Sequence, residues 1–328
     1  MINLPGVIFS LLSAMSFGLT NAANRRGVLS TSASMAMYSS VFIGVPIFLG
    51  IALANGEMAQ AGDLSVEQYL WLMASGVVHF IMGRYCNYRA IGAIGSNRSQ
   101  PLSASNLMYT LALSMLFLGE HPTLHAMAGT VLLILGPIAA IPRRRAVAVF
   151  AGAAPAHGGG PELPPGRLVE GYGFGVLAAM CYGSSPVLIR LGLGSTGLSV
   201  LGAAVSCSAA GAMLAVSLLR PGQIGTLRRD IPVSGWFRDL RGRFGWDTPF
   251  TWLAVGGVAI TVSQLFRYLA VGAMDVSLSS PLISLAGVFS VFWSFVLNRR
   301  LESFSPNVLL GIGLSIIGSV VLIAPIGP

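Results

Sequence analysis

This chain of 328 residues contains no lysine, so all 19 of its basic residues are arginines. Charged residues of both signs make up only 9% of it. The 11 carboxylates are Glu57, Asp63, Glu67, Glu120, Glu162, Glu170, Asp230, Asp239, Asp247, Asp275 and Glu302, and none stands at the middle of an apolar run. A buried carboxylate is the usual proton carrier of cation-exporting pumps, and this chain offers none. The three cysteines, Cys86, Cys181 and Cys207, lie inside apolar stretches without disulfide or zinc spacing and read as small packing residues. No metal cluster, cofactor motif or nucleotide-binding loop is visible, so neither a metal nor a cofactor is expected and ATP does not drive the protein directly. An enzyme is not expected, because there is no carboxylate pair and no histidine-supported nucleophile. A nucleic-acid partner is excluded because the net charge of +8 comes from arginines in short loops between apolar runs.

What the chain has in abundance is apolar surface. It is 54% hydrophobic with a mean hydropathy of +0.76, too much for a soluble domain to hide. Runs long enough to cross the hydrocarbon core fall at about 5–24, 35–54, 69–91, 98–118, 124–142, 172–192, 199–219, 250–272, 278–298 and 306–325. Backbone groups cannot stay unpaired in lipid, so all ten are expected to be helices. The first run lacks a basic leader and matches an internal segment, so it reads as a transmembrane helix rather than a cleaved signal peptide.

The chain also repeats itself. At a shift of 165, Leu12, Ala14, Met15, Gly18, Arg25 and Gly27 meet Leu177, Ala179, Met180, Gly183, Arg190 and Gly192. At a shift of 180, the segment from Tyr88 to Ala93 and Pro101-Leu102 meet the segment from Tyr268 to Ala273 and Pro281-Leu282. At a shift of 182, Glu120, Gly129 and Gly136 meet Glu302, Gly311 and Gly318. The expected fold class is an all-α integral membrane protein of ten transmembrane helices, built as two inverted five-helix repeats. The repeats occupy residues 1–142 and 171–328, joined by a flexible Gly/Pro-rich linker over 143–170. In the long connection 220–249, Trp236, Phe237, Leu240 and Phe244 recur at helical spacing beside arginines, which fits either a short interfacial helix or an irregular basic loop. Loops after spans one, three, five, seven and nine hold 2, 1, 4, 6 and 2 arginines, against Arg190 alone on the other side. Positive charge favours the cytoplasm, so the count puts both termini outside.

Candidate functional residues are polar groups held at membrane depth. An arginine near a helix centre is disfavoured by about 2.5–3.5 kcal/mol, so one persists only where it meets water, a partner or a ligand. Arg84, Asn87 and Tyr88 share one arc of span three, and Gln264, Arg267 and Tyr268 share the matching arc of span eight. Two guanidinium groups facing one cavity suit an anionic or carboxylate-bearing solute. The competing reading is that they satisfy backbone carbonyls or reach for the interface. His79, near the middle of span three, is a candidate proton relay or a hydrogen-bonded packing residue. Gln100, Ser103 and Asn106 form a polar stripe on span four, and Phe17 and Tyr182, symmetry mates, line or gate the cavity or fill the core.

These residues carry a resemblance. Tyr88 to Glu120, with its alanine-glycine turn, the proline one turn into span four and Leu118-Gly119-Glu120 at its end, is followed by a glycine-rich fifth span. Tyr268 to Glu302, with Gly311 and Gly318, repeats the scheme. The chain thereby resembles the drug/metabolite transporter superfamily in its bacterial EamA-type, ten-span form. The resemblance implies an alternating-access carrier in the cell (inner) membrane, with spans one to four and six to nine around a central cavity and spans five and ten peripheral. It implies that Glu120 caps a helix, and it implies cytoplasmic termini, contrary to the arginine count. The second half departs from the pattern at Asn298-Arg299-Arg300, inserted before Glu302. The function expected is a secondary active transporter, and an exporter, of a small anionic or zwitterionic metabolite. A flippase for a lipid-linked substrate and a non-transporting assembly or sensory subunit are the alternatives. Its partners are a small-molecule metabolite and membrane lipid, with a homodimer left open.

Overall fold

The computed structural model describes residues 3–27, 33–94, 105–139, 165–219, 249–298 and 306–323. Among these residues every regular element is helical. The helices are α1 (Leu4–Gly27), α2 (Ala33–Ala54), α3 (Val66–Gly76), α4 (Arg84–Ile94), α5 (Asn106–Phe117) and α6 (Leu124–Ala139). They continue as α7 (Pro165–Leu193), α8 (Ser199–Leu218), α9 (Pro249–Ala273), α10 (Val276–Ile283), α11 (Ala286–Asn298) and α12 (Pro306–Ile323). Six stretches are long and apolar enough to cross a membrane: α1, α2, α7, α8, α9 and the α10–α11 pair. Three shorter apolar helices lie at Asn106–Phe117, Leu124–Gly136 and Leu310–Leu322. An all-helical chain with this many apolar rods is a multi-pass membrane protein.

Large apolar side chains such as Phe42, Leu116, Leu124, Phe292 and Val320 point outward, as expected where lipid is the solvent. The interior is built from one large cluster around Val41, Phe48, Leu72, Leu193 and Val271, and a smaller one around Ala14, Leu282 and Leu285. Lipid gives helices no hydrophobic reason to associate, so small residues and close backbone approach must hold them. A Cβ added at Gly18 of α1 would sit 2.7 Å from the backbone of Phe289 on α11. One added at Gly183 of α7 would sit 2.7 Å from the carbonyl oxygen of Asn106 and from Cβ of Tyr109 on α5. Helices α6 and α12 meet in the same way, with Gly129 against the carbonyl of Gly318 and Gly136 against that of Gly311, at 2.6 and 2.8 Å from the added Cβ.

Two irregularities interrupt the rods. Between α3 and α4 the chain continues through a π-helical turn, Val77–Gly83, so that Val66 to Ile94 runs as one helix with a wide segment in its middle. Between α10 and α11 the helix breaks at Ser284 and Leu285, where the Ser284 amide is shared between the carbonyls of Ser280 and Pro281, both at 3.1 Å. A proline at 281 cannot donate to the ladder, which loosens that stretch. Residues 165–170, placed by the sequence in the linker, form the start of α7. Proline at 165 has the φ and the missing N–H that suit a first helical position.

One end of the bundle is closed by cross-links between the halves. Gly119, at φ 64, ends α5 in the left-handed conformation that glycine adopts without strain and turns the chain toward Glu120. The Glu120 carboxylate then accepts from the amides of Val276 and Ser277, both at 2.8 Å, capping α10. Glu57 Oε2 likewise accepts from the amide of Leu201 at 2.7 Å, within the first turn of α8. The residues at the N-cap positions of these helices, Asp275 and Leu198, make no side-chain cap of their own. Beside them Asn3 donates to the carbonyl of Ala273 at 2.6 Å, and Arg190 Nη1 to those of Val271 and Gly272 at 2.9 and 3.1 Å. Arg190 thus holds the C-terminal carbonyls of α9, where positive charge is favoured.

Candidate functional site

The wide turn in the third span places His79 in the interior, and α9 brings Arg267 and Gln264 against it. Arg267 Nη1 lies 3.0 Å from His79 Nδ1 and 3.1 Å from Nε2. Those two nitrogens flank a single carbon, so a group nearly equidistant from both rests over the ring rather than along either lone pair. The guanidinium nitrogen of Arg267 therefore rests against the face of the imidazole. The same Nη1 lies 3.4 Å from Gln264 Oε1, Nη2 donates to Ser185 Oγ of α7 at 3.2 Å, and Gln264 Nε2 stands 3.4 Å from His79 Nε2. The imidazole is enclosed by Phe80 and Tyr182, each with its ring centroid 5.1 Å away in an edge-on arrangement. Close packing of Gly83 on the ring of Tyr182, 2.8 Å from an added Cβ, helps to bring α7 this near.

Arg84 follows directly after the wide turn. Its Nη1 donates to Ser40 Oγ of α2, and its guanidinium carbon lies 5.2 Å from the centroid of Phe80. Phe80 thus joins the two arginine environments, with its face near Arg84 and its ring edge-on to His79. His79, Arg84, Gln264, Arg267 and Ser185 are all buried, and among the described residues no carboxylate lies within ion-pair distance of either guanidinium. Both arginines are held by uncharged side chains and not by main-chain oxygens, in contrast to Arg190. The ion pair among the described residues joins Arg89 to Glu170 near the end of the span, where Arg89 also lies 5.2 Å from the ring of Phe174.

The other sequence candidates are distributed around this cluster. Asn87 is half-buried on α4; Tyr88 lies on the same helix, and its side chain is outside the described set. Tyr268 turns away from Arg267's partners into the large core, with its hydroxyl 3.2 Å from Ser75 Oγ and only 2% of its surface exposed. Ser75 is 3.0 Å from Ser206 Oγ, and Ser206 donates to the carbonyl of Leu72, a hydroxyl chain at the mouth of the wide turn. Asn106 begins α5 and its carbonyl accepts from Thr110 at 3.0 Å. Phe17 packs beside the smaller core cluster, away from the site of its mate Tyr182. Gln100, Ser103 and Pro101, the segment around Trp236 to Phe244, and Glu302 lie outside the described residues. Sequence reasoning missed Ser40 and Ser185. Serines are common in apolar helices, and only the fold shows which ones meet a guanidinium.

An all-helical, lipid-facing bundle among the described residues defines a multi-pass integral membrane protein. Comparison with known proteins supports that class. Residues 4–141, from α1 to the end of α6, match the model of the EamA-like transporter family. Two curated relatives, each described as "Magnesium transporter NIPA3", from Pongo abelii and Homo sapiens, are 32% identical over 108 residues, 31% of this chain and 26% of theirs. The chain thus spans about a quarter of the length of the curated relatives it matches. One crystal structure, 16% identical, is alike over 98% of this chain and 97% of its own with a TM-score of 0.67, so the whole chain shares a known fold. The matched family and both curated relatives are described as transporters.

Proposed function

We propose that the chain is a secondary active exporter of a small anionic or zwitterionic metabolite, working by alternating access in the cell's inner membrane. Its ten spans form two inverted five-helix repeats, 1–142 and 171–328. Helix packing supports that division. Gly18 meets Phe289 as Gly183 meets Tyr109, and the two pairs are images under the shifts of 165 and 180. Gly129 against Gly318 and Gly136 against Gly311 exchange under the shift of 182.

The observation that carries the reading is a pair of buried arginines, Arg84 and Arg267, without a carboxylate partner among the described residues. Neutral hydroxyl, amide and imidazole groups hold them in place. A substrate carboxylate or phosphate makes charge-assisted hydrogen bonds roughly twice as strong as neutral ones, and so displaces these placeholders. Asn87 and Gln264 add amide contacts, Tyr182 and Phe80 form apolar walls, and His79 stays the candidate proton relay between them. The magnesium named for the two relatives asks for different chemistry. A hard divalent cation takes carboxylate and carbonyl oxygens, and guanidinium groups repel it. Among the described residues no group of three or more His, Cys, Asp or Glu side chains could hold a metal ion.

The test is uptake into proteoliposomes of labelled small carboxylates, phosphates and amino acids, with magnesium as a parallel substrate. At least one anionic or zwitterionic solute should move with wild type, and its flux should fall by roughly tenfold or more in Arg84→Ala and in Arg267→Ala. Magnesium flux that both variants leave intact, with every anion immobile, overturns the proposal.

A further inference from the structure

The closed end of the bundle is held by carboxylates that cap helices belonging to the other half. Glu120 leaves α5 and takes the Val276 and Ser277 amides of α10; Glu57 leaves α2 and takes the Leu201 amide of α8. A helix N-terminus is ordinarily capped by the residue that precedes it. For α10 that residue is Asp275, one of the best capping side chains. Its backbone has φ −58 and ψ 144, and the carbonyls of its neighbourhood already start the helix, with Ser279 donating to Asp275 O at 2.9 Å. Yet its side chain makes no cap and stands exposed beside the Glu120 carboxylate's donors. A local cap would use the second or third amide of the helix, and the second, Ser277 N, is one that Glu120 occupies.

We propose that Glu120 is the latch of this membrane face and Asp275 its competitor. With the halves together, Glu120 caps α10 across the boundary between them. With the halves apart, Asp275 takes over Ser277 N, and the Val276 amide, the other donor that Glu120 holds, is left to water as the face opens. Two carboxylates bidding for one donor make a bistable element, since each arrangement leaves Ser277 N satisfied. Glu57 on α8 strengthens the closed state alone, because Leu198 at that N-cap has no acceptor to replace it. This inference rests on the alternating-access reading of the carrier and names the part that alternates on this face.

Met274, buried between α1 and α9 against Gly6 and Ser10, reports on the closure. The experiment places Met274→Cys in a background with Cys86, Cys181 and Cys207 replaced by alanine. The protein is reconstituted in nanodiscs, where both faces are accessible, and its labelling by a charged maleimide is timed. Glu120→Gln should raise the labelling rate by roughly fivefold or more, and Glu57→Gln should raise it too. Asp275→Ala, which removes the competing acceptor, should lower it, and in the double variant should pull the rate back toward wild type. A merely structural cap predicts otherwise, because loosening the fold by either substitution raises labelling. Equal rates in all variants, or a rise with Asp275→Ala, overturns the latch. Labelling does not depend on substrate, so a missing anion flux with this pattern intact removes the carrier reading and leaves the latch standing.

Discussion

Arg267 offers five N–H donors and meets an imidazole face, an amide oxygen and a serine hydroxyl, with no carboxylate among the described residues. Such a group is oriented but not neutralised, which is the condition for attracting an anion. The hydroxyl of Ser185 fixes the guanidinium's far edge, so its loss should loosen aim without removing charge. Ser185→Ala should raise the KM of the transported anion by roughly twofold to tenfold, the worth of one hydrogen bond, and change kcat little. Arg267→Lys should behave more like Arg267→Ala, because a point charge cannot reach the His79 ring, Ser185 and Gln264 together. Concentration-dependent flux in proteoliposomes measures both; a Lys variant equal to wild type contradicts the argument from the planar fork. Arg84, Arg267 and His79 were visible in the sequence because a charge at membrane depth demands a reason. Ser40 and Ser185 were not, since a serine's meaning lies in the helix across from it.

Hydropathy found the helices themselves, because lipid permits little else over twenty apolar residues. It did not find the wide turn at Val77–Gly83, whose sequence is as apolar as its surroundings and carries no breaker. The break in span nine falls just beyond Pro281, at Ser284 and Leu285. Close approach between helices was legible only as repeated glycines, not as particular partners. Gly183 shows what such a glycine permits. A methyl group there would stand 2.7 Å from the Asn106 carbonyl oxygen, on backbone that has nowhere to retreat. Gly183→Ala should destabilise the protein by about 1–3 kcal/mol, seen as a lower midpoint in detergent melting curves, and Gly18→Ala similarly against Phe289. Gly50, with nothing within 4 Å of an added Cβ, is the control and should tolerate alanine.

Across the whole molecule the contacts run between halves more than within them. Helix α1 packs on α9 and α11, α7 on α3, α4 and α5, and α6 on α12. The repeat in the sequence suggests two equivalent units but not that the two halves of the chain lean on each other. That interlocking could not be read from one strand of letters, because shifts of 165, 180 and 182 say which residues correspond and nothing about which touch. Helices α1 to α6 and α7 to α12 complete each other's packing among the described residues. Co-expressed fragments 1–150 and 151–328 should therefore copurify through a tag on one of them and match the intact chain in helicity; separate elution would refute it.

The wide turn has no twin. Where the third span swells around His79, the corresponding part of α9 continues as regular helix through Ala259. The surplus residue thus falls on one of the two arginine-bearing helices and not on the other, where they face each other. On the proposed reading, a cargo entering between the halves would meet a different wall on its left than on its right.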